Sequence, residues 1–214
     1  MDILQTISEE FNLTSVRTEN IVGLIDEGNT IPFIARYRKE MTGGIDDQTL
    51  RSLFDRLTYL RSLEKRKQEV INAISEQGKL TPEIETALAK AVTLTEVEDI
   101  YRPYKQKRKT RASMAIAKGL QPFAETILKQ DKQLDVLLEA KKYLSDEVKT
   151  EADAISGASD IIAEMISDDA TTRKKLRNFF FNHGDITSSY IKGKAELDEQ
   201  KTYEMYANHS EPVS

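Results

Sequence analysis

Between Asp46 and Gln77 the chain contains neither glycine nor proline. Through this stretch Leu50, Leu53, Phe54, Leu57, Leu60, Leu63, Val70, Ile71 and Ile74 recur at steps of three and four residues, the pattern of one buried face on a continuous helix. Asp46 and Asp47 stand where the N-terminus of a helix favours negative charge, and Gly78 is placed to stop it. At the helical rise of 1.5 Å per residue, such an element is roughly 45–50 Å long. A helix of that length in a 214-residue chain acts as a spine around which shorter helices pack.

The remaining segments agree with that architecture. Nine glycines and five prolines are few breakers for 214 residues, so long helices are favoured over strands and turns. Ser15 is the expected N-cap of a helix carrying Val16, Ile21, Val22 and Ile25 and ending at Gly28. Pro32 interrupts the next segment, leaving a short helix from Ile34 to Met41 before Gly43 and Gly44. Thr81 and Pro82 form an N-cap and first-turn pair for a helix through Val92. Thr95 to Glu98 fits a capping box ahead of Ile100 and Tyr101, and Pro103 then forces the chain out of helix. Further helices are expected at about 113–118, 121–130, 133–144, 147–150, 152–166 and 170–182. Near the C-terminus, Ile186, Ser188, Tyr190 and Lys192 suggest a short extended piece, and Glu204 to Tyr206 a helical turn. The expected fold is an all-α, multi-helix array with one long central helix. It divides into 1–111 and 112–214, or forms a single domain.

Charge and composition narrow the function. The net charge is −5, with 31 Lys and Arg against 36 Asp and Glu. The acidic excess lies wholly in the second half, so only local basic patches could hold a polyanion. There is no cysteine, hence no thiolate nucleophile and no cysteine-ligated zinc. The N-terminal DILQTISEE is too acidic for a signal peptide, and no run approaches the length of a membrane span. A cytoplasmic protein without a membrane partner is expected. His183 and His209 are isolated in loop-like surroundings. Gly43-Gly44 lacks the Lys-Ser/Thr of a phosphate loop, and the acidic pairs Asp46-Asp47, Glu98-Asp99 and Asp168-Asp169 lie near helix ends. No catalytic residue, cofactor site or metal site is expected, and the chain reads as non-enzymatic.

Three basic clusters remain. In Ile31 to Gly44, reading IPFIARYRKEMTGG, Arg36, Arg38 and Lys39 surround Tyr37. In the loop Arg102 to Arg111, Lys105, Lys107, Arg108, Lys109 and Arg111 stand near Tyr101 and Tyr104. Arg173, Lys174, Lys175 and Arg177 precede Phe179, Phe180 and Phe181, which are expected to enter a core. Cations interleaved with aromatics can hold phosphates and stack on bases. The bland alternative is a solvated face, or pairing with the many acids. The candidates for nucleic-acid contact are therefore Arg36, Arg38, Lys39, Lys105, Lys107, Arg108, Lys109 and Arg111.

Four ordered motifs, IPFIARYRKEMTGG, IDDQTL, EQGKLTPEIE and EDIYRPYKQKRKTR, resemble the N-terminal region of the bacterial Tex family of transcription accessory proteins. The resemblance runs from about Ile21 to the C-terminus. It implies an all-helical region with a helix-turn-helix-like part and a long central helix. In that family a ribonuclease H-like domain, a helix-hairpin-helix domain and a nucleic-acid-binding S1 domain follow. The chain ends where that pattern continues, so it is expected to be an N-terminal portion without those domains. The implied partners are RNA or DNA, bound weakly by this portion, the absent C-terminal domains and the transcription machinery. The alternative from another class is a helical scaffold that docks the missing domains or a transcription partner and touches no nucleic acid. No family catalytic residue maps onto this sequence.

Overall fold

In the computed structural model, which describes residues 2–106, 108–197 and 200–214, the protein forms two compact units, Met1–Tyr101 and Arg102–Ser214. Among the described residues there are twelve α-helices and one two-stranded sheet, so the all-α expectation holds.

The N-terminal unit contains α1 (Ile3–Glu10), α2 (Ser15–Asp26), α3 (Ile31–Tyr37), α4 (Lys39–Thr42), α5 (Asp47–Glu76), α6 (Pro82–Lys90) and α7 (Leu94–Tyr101). The long α5 is the expected spine, 30 residues capped by Asp46. The Asp46 carboxylate accepts hydrogen bonds from the Thr49 backbone N–H at 2.9 Å and the Thr49 hydroxyl at 2.7 Å. These bonds hold the carboxyl below its usual range. Leu50, Leu53, Leu57 and Leu60 are buried with Ile7 of α1, Ile21, Val22 and Leu24 of α2 and Ile34 of α3. Farther along α5, Leu63, Val70 and Ile74 are buried, and α6 and α7 pack there with Leu88 and Val97.

Lys67 occupies the same buried stripe, with 5 % of its surface exposed. Its stem takes the place of an apolar side chain. Its ammonium pairs with Glu64 at 2.9 Å and donates to the Ala89 carbonyl in the last turn of α6 at 3.3 Å, capping that helix from outside.

Arginines recur on α5 every five residues, at Arg51, Arg56, Arg61 and Arg66. Each five-residue step turns the helix by about 140°, so successive arginines reach different neighbours. Arg56 is bidentate to Glu10 of α1 (2.6 and 2.7 Å) and Arg61 to Asp26 of α2 (2.7 and 2.8 Å). Arg66 reaches Glu98 of α7 at 2.7 Å.

Several boundaries differ from expectation. Thr14, not Ser15, caps α2. Pro32 does not interrupt a helix but sits in the first turn of α3, where its missing N–H costs nothing; the break comes instead at Arg38, with φ −127° and ψ 31°. The cap of α7 is Thr93, whose hydroxyl accepts from Glu96 N–H at 3.2 Å, rather than Thr95. The earlier start is supported by the Tyr59 hydroxyl, which accepts from Leu94 N–H at 3.1 Å, and it places Val97 in the core.

The C-terminal unit contains α8 (Arg111–Ala117), α9 (Gln121–Leu128), α10 (Val136–Ala140), α11 (Glu151–Asp168), α12 (Ala170–His183) and the antiparallel strands β1 (Asp185–Ser189) and β2 (Asn208–Pro212). Its core is built of small residues: Ala112, Ala115, Ala124, Ala140, Ala154 and Ala158, with Leu120, Phe123, Val148 and Ile161. Gly157 belongs to that close approach, since a Cβ there would collide with Leu120 Cδ1. Residues 147–150 are not helical; Ser145 and Val148 exchange backbone hydrogen bonds across a tight turn. The helix expected over 133–144 shrinks to α10 and a 3-10 turn at Lys141–Tyr143. The extended piece near Ile186 is real but finds its partner in Asn208–Pro212, a stretch too polar to read as a strand. Phe179, Phe180 and Phe181 do not enter a core: they are 57, 61 and 56 % exposed.

Candidate nucleic-acid interface

The first basic cluster is created by the break between α3 and α4. Three residues at this corner are turned outward at once: Arg36 in the last turn of α3, Tyr37 (57 % exposed) and Lys39 at the start of α4. Arg38 is half-buried. Its guanidinium lies 5.3 Å from the Phe33 ring centroid and donates to the Tyr37 carbonyl at 3.3 Å. The Tyr37 ring leans on Phe33 at 5.3 Å. Among the described residues, Arg36, Arg38 and Lys39 form no ion pair. Arg38 lays its head over an aromatic, whereas Arg36 and Lys39 are exposed, a state that a contact surface and a solvated face share.

A fourth cation joins this corner from α2. Arg17 packs against Gly43, the left-handed C-cap of α4 (φ +75°). One turn farther along the same face of α2, Asn20 donates to the Met41 carbonyl at 3.4 Å. Arg17 is exposed and, among the described residues, has no ion pair. Lys39 and Gly43 bound a helix only about 6 Å long, so Arg17 and Lys39 mark the two ends of one small surface. Sequence reasoning missed Arg17 because it is far from the cluster along the chain and has no basic neighbour.

The loop cluster is different in kind. Arg102 Nε pairs with Asp168 Oδ1 at 2.9 Å, and Arg111 Nε approaches Asp160 Oδ1 at 3.5 Å. Lys105 is also engaged. Asp160, Glu164 and Asp168 follow one another at four-residue steps down one side of α11. Together with the loop they frame an open groove of about 510 Å³ whose lining includes Arg102, Lys105, Arg108 and Arg111 beside these carboxylates. The self-repulsion of the basic run is thus relieved in part by α11. Arg108 and Lys109 remain exposed without an ion pair among the described residues. Lys107 lies outside the described residues.

The α12 cluster is also committed in part. Arg173 donates to the Ser167 carbonyl at 3.2 Å, and Arg173, Lys174 and Arg177 all have partners. Asp169, the N-cap of α12, is held below the usual carboxylate range by hydrogen bonds from Thr172, with the Lys175 charge adding to them. The arginines of α5 are tied to carboxylates and are not available as a polyanion surface. Among the described residues no group of three or more His, Asp or Glu is placed to share a metal ion, and no helix is long and apolar enough to cross a membrane.

Comparison with known proteins bears on this geometry. Residues 1–75 match the family described as Tex-like protein N-terminal domain, and residues 131–214 match Tex central region-like. The uncharacterized protein YdcI of Bacillus subtilis is 45 % identical over 98 % of this chain and 29 % of its own length. The transcriptional accessory protein Tex of Neisseria gonorrhoeae is 41 % identical over 100 % of this chain and 28 % of its own. The human S1 RNA-binding domain-containing protein 1 is 32 % identical over 96 % of this chain and 21 % of its own. The chain therefore spans less than a third of the length of these relatives.

Proposed function

The chain belongs to the Tex family, and from that premise we propose that it supplies the helical N-terminal portion of a cytoplasmic transcription accessory factor and contributes weak, sequence-indifferent nucleic-acid contacts within the larger protein. The observation that carries this reading is the corner of Arg17, Arg36, Arg38 and Lys39 around the exposed Tyr37, where the cations form no ion pair among the described residues. Such a surface can neutralise phosphates and offer one ring for stacking without reading base edges. A relative named for an S1 RNA-binding domain is consistent with nucleic acid as the ligand of the whole protein. The helix-turn-helix-like character implied by the family belongs to the same reading. Arg108 and Lys109, with Lys107, are secondary contacts, because the rest of their loop is balanced by α11. The chain has no catalytic role in this reading.

The test is a salt series of nucleic-acid binding. The Arg36→Gln, Arg38→Gln, Lys39→Gln variant should reduce the log–log salt slope by about two to three phosphates' worth, while Arg108→Gln with Lys109→Gln removes about one or less. The loop variant should leave the melting temperature unchanged, and the corner variant should lower it only slightly, by the loss of the Arg38 contacts with Phe33 and the Tyr37 carbonyl. An unchanged slope in the first variant would exclude the corner as the contact.

A second reading, a scaffold that docks the rest of the protein or a transcription partner without touching nucleic acid, draws support from the acids beside the basic loop and from the net charge of −5. It expects the salt slope to be indifferent to both variants.

A further inference from the structure

In α12 no residue is buried. Leu176, Phe179 and Phe180 form one outward stripe; the Phe179 ring meets Phe180 edge to face at 5.8 Å and His183 at 5.1 Å, both within the same helix. Phe181 lies about 140° around the helix from Leu176 and is exposed as well. Beyond the helix, Ile186 of β1 and Ile191 are 60 and 70 % exposed as well. Every residue of β1 is exposed, so the hairpin has no face of its own against a core, and a two-stranded hairpin alone is marginally stable in water. Isolated exposed hydrophobics are ordinary; a contiguous run of large ones marks a contact surface.

The arrangement favours one occupant. The matching relatives are more than three times as long as the span they share with this chain, and the segment carrying these residues matches a region described as central. We propose that α12 and the β1–β2 hairpin form the docking surface for the remaining polypeptide of a longer Tex-family protein, which encloses Phe179, Phe180 and Phe181. This rests on the docking reading above, to which it gives a place and a partner, and it is independent of the nucleic-acid corner.

Hydrogen exchange of the 214-residue chain and of the corresponding full-length protein tests it. The amides of α12 and the hairpin should exchange at least about 100-fold more slowly in the full-length protein, because local opening there must also undo the docked surface. Phe180→Asp should lower the melting temperature of the full-length protein and leave that of the 214-residue chain unchanged; Phe181→Asp provides the same reading from the other side of the helix. Equal exchange in both proteins at α12 overturns the proposal. If protection appears instead on residues 1–168, docking stands and this surface is wrong; if none appears anywhere, the docking reading falls too. A 214-residue chain that sediments as a dimer, and reverts to monomer with Phe180→Asp, would assign the surface to a second copy and also overturn it.

Discussion

A methyl group on Gly43 would sit 2.6 Å from Cζ of Arg17, on a backbone whose φ is +75°. Gly43→Ala is therefore opposed twice: the left-handed conformation costs a residue with a Cβ roughly 1–2 kcal/mol, and the guanidinium must be displaced. The variant should lose about that much stability in urea titration and should also weaken nucleic-acid binding. Arg17→Gln separates the two effects. It should leave stability within about 0.5 kcal/mol, as surface changes usually do, and reduce the salt slope by about one phosphate. A Gly43→Ala variant of unaltered stability would mean that this turn relaxes freely. Arg36, Arg38 and Lys39 were legible in the sequence because they crowd around one tyrosine. Arg17 was not: its place depends on how α2 lies against α4, and no local pattern encodes that. Lys67 was hidden for the converse reason. A lysine on an apolar stripe reads as a gap until the Ala89 carbonyl is seen to receive it.

Among the elements, α5 was the most legible because its signal repeats over eight turns: Asp46 caps it, Gly78 follows it, and Leu57 is 1 % exposed in its middle. Leu57→Ala should destabilise the protein by about 2–5 kcal/mol, the usual cost of a buried leucine truncation with its residual cavity. Denaturant unfolding with an unchanged m-value would report this, and a loss below about 0.5 kcal/mol would be incompatible with the buried stripe. Short elements were less legible. Around Asp146 to Thr150 the polar run fits a helical turn or a tight bend equally, and the burial of Val148 settles it for the bend. The triple phenylalanine misled for a related reason. Hydrophobicity reports that a residue prefers to be covered, and it carries no information on whether the cover lies within the same 214 residues.

Over the whole molecule, carboxylates with lowered pKa are spread through both units, and the acid response follows from them. The Glu10 carboxyl is held down by its hydrogen bonds with Arg56, and Asp26 by those with Arg61. Asp46 and Asp169 are held down by threonine donors at helix starts. For Glu64, burial opposes ionisation, yet the carboxyl is still held below its usual range, with Lys67 the largest favourable influence. In each case the unfolded chain binds a proton more readily than the folded one. Their contribution is therefore complete above the ordinary carboxyl values of 4.5 and 3.8 and is lost as pH falls through the lower, folded values. A second effect acts earlier. Moving from pH 7 toward the isoelectric point near 5.3 removes the net charge of −5 and its self-repulsion, so stability should hold or rise slightly there before it declines. Urea midpoints measured across pH should be level or weakly peaked between about 7 and 5 and should fall below about 4.5. The Arg56→Gln, Arg61→Gln variant should have a shallower acid limb, because Glu10 and Asp26 then return toward ordinary values. At neutral pH it should lose at most about 1 kcal/mol per pair, since both pairs are solvent-accessible. A variant limb as steep as the original would show that these two pairs do not drive acid unfolding, leaving the threonine-capped aspartates and Glu64 as candidate sources.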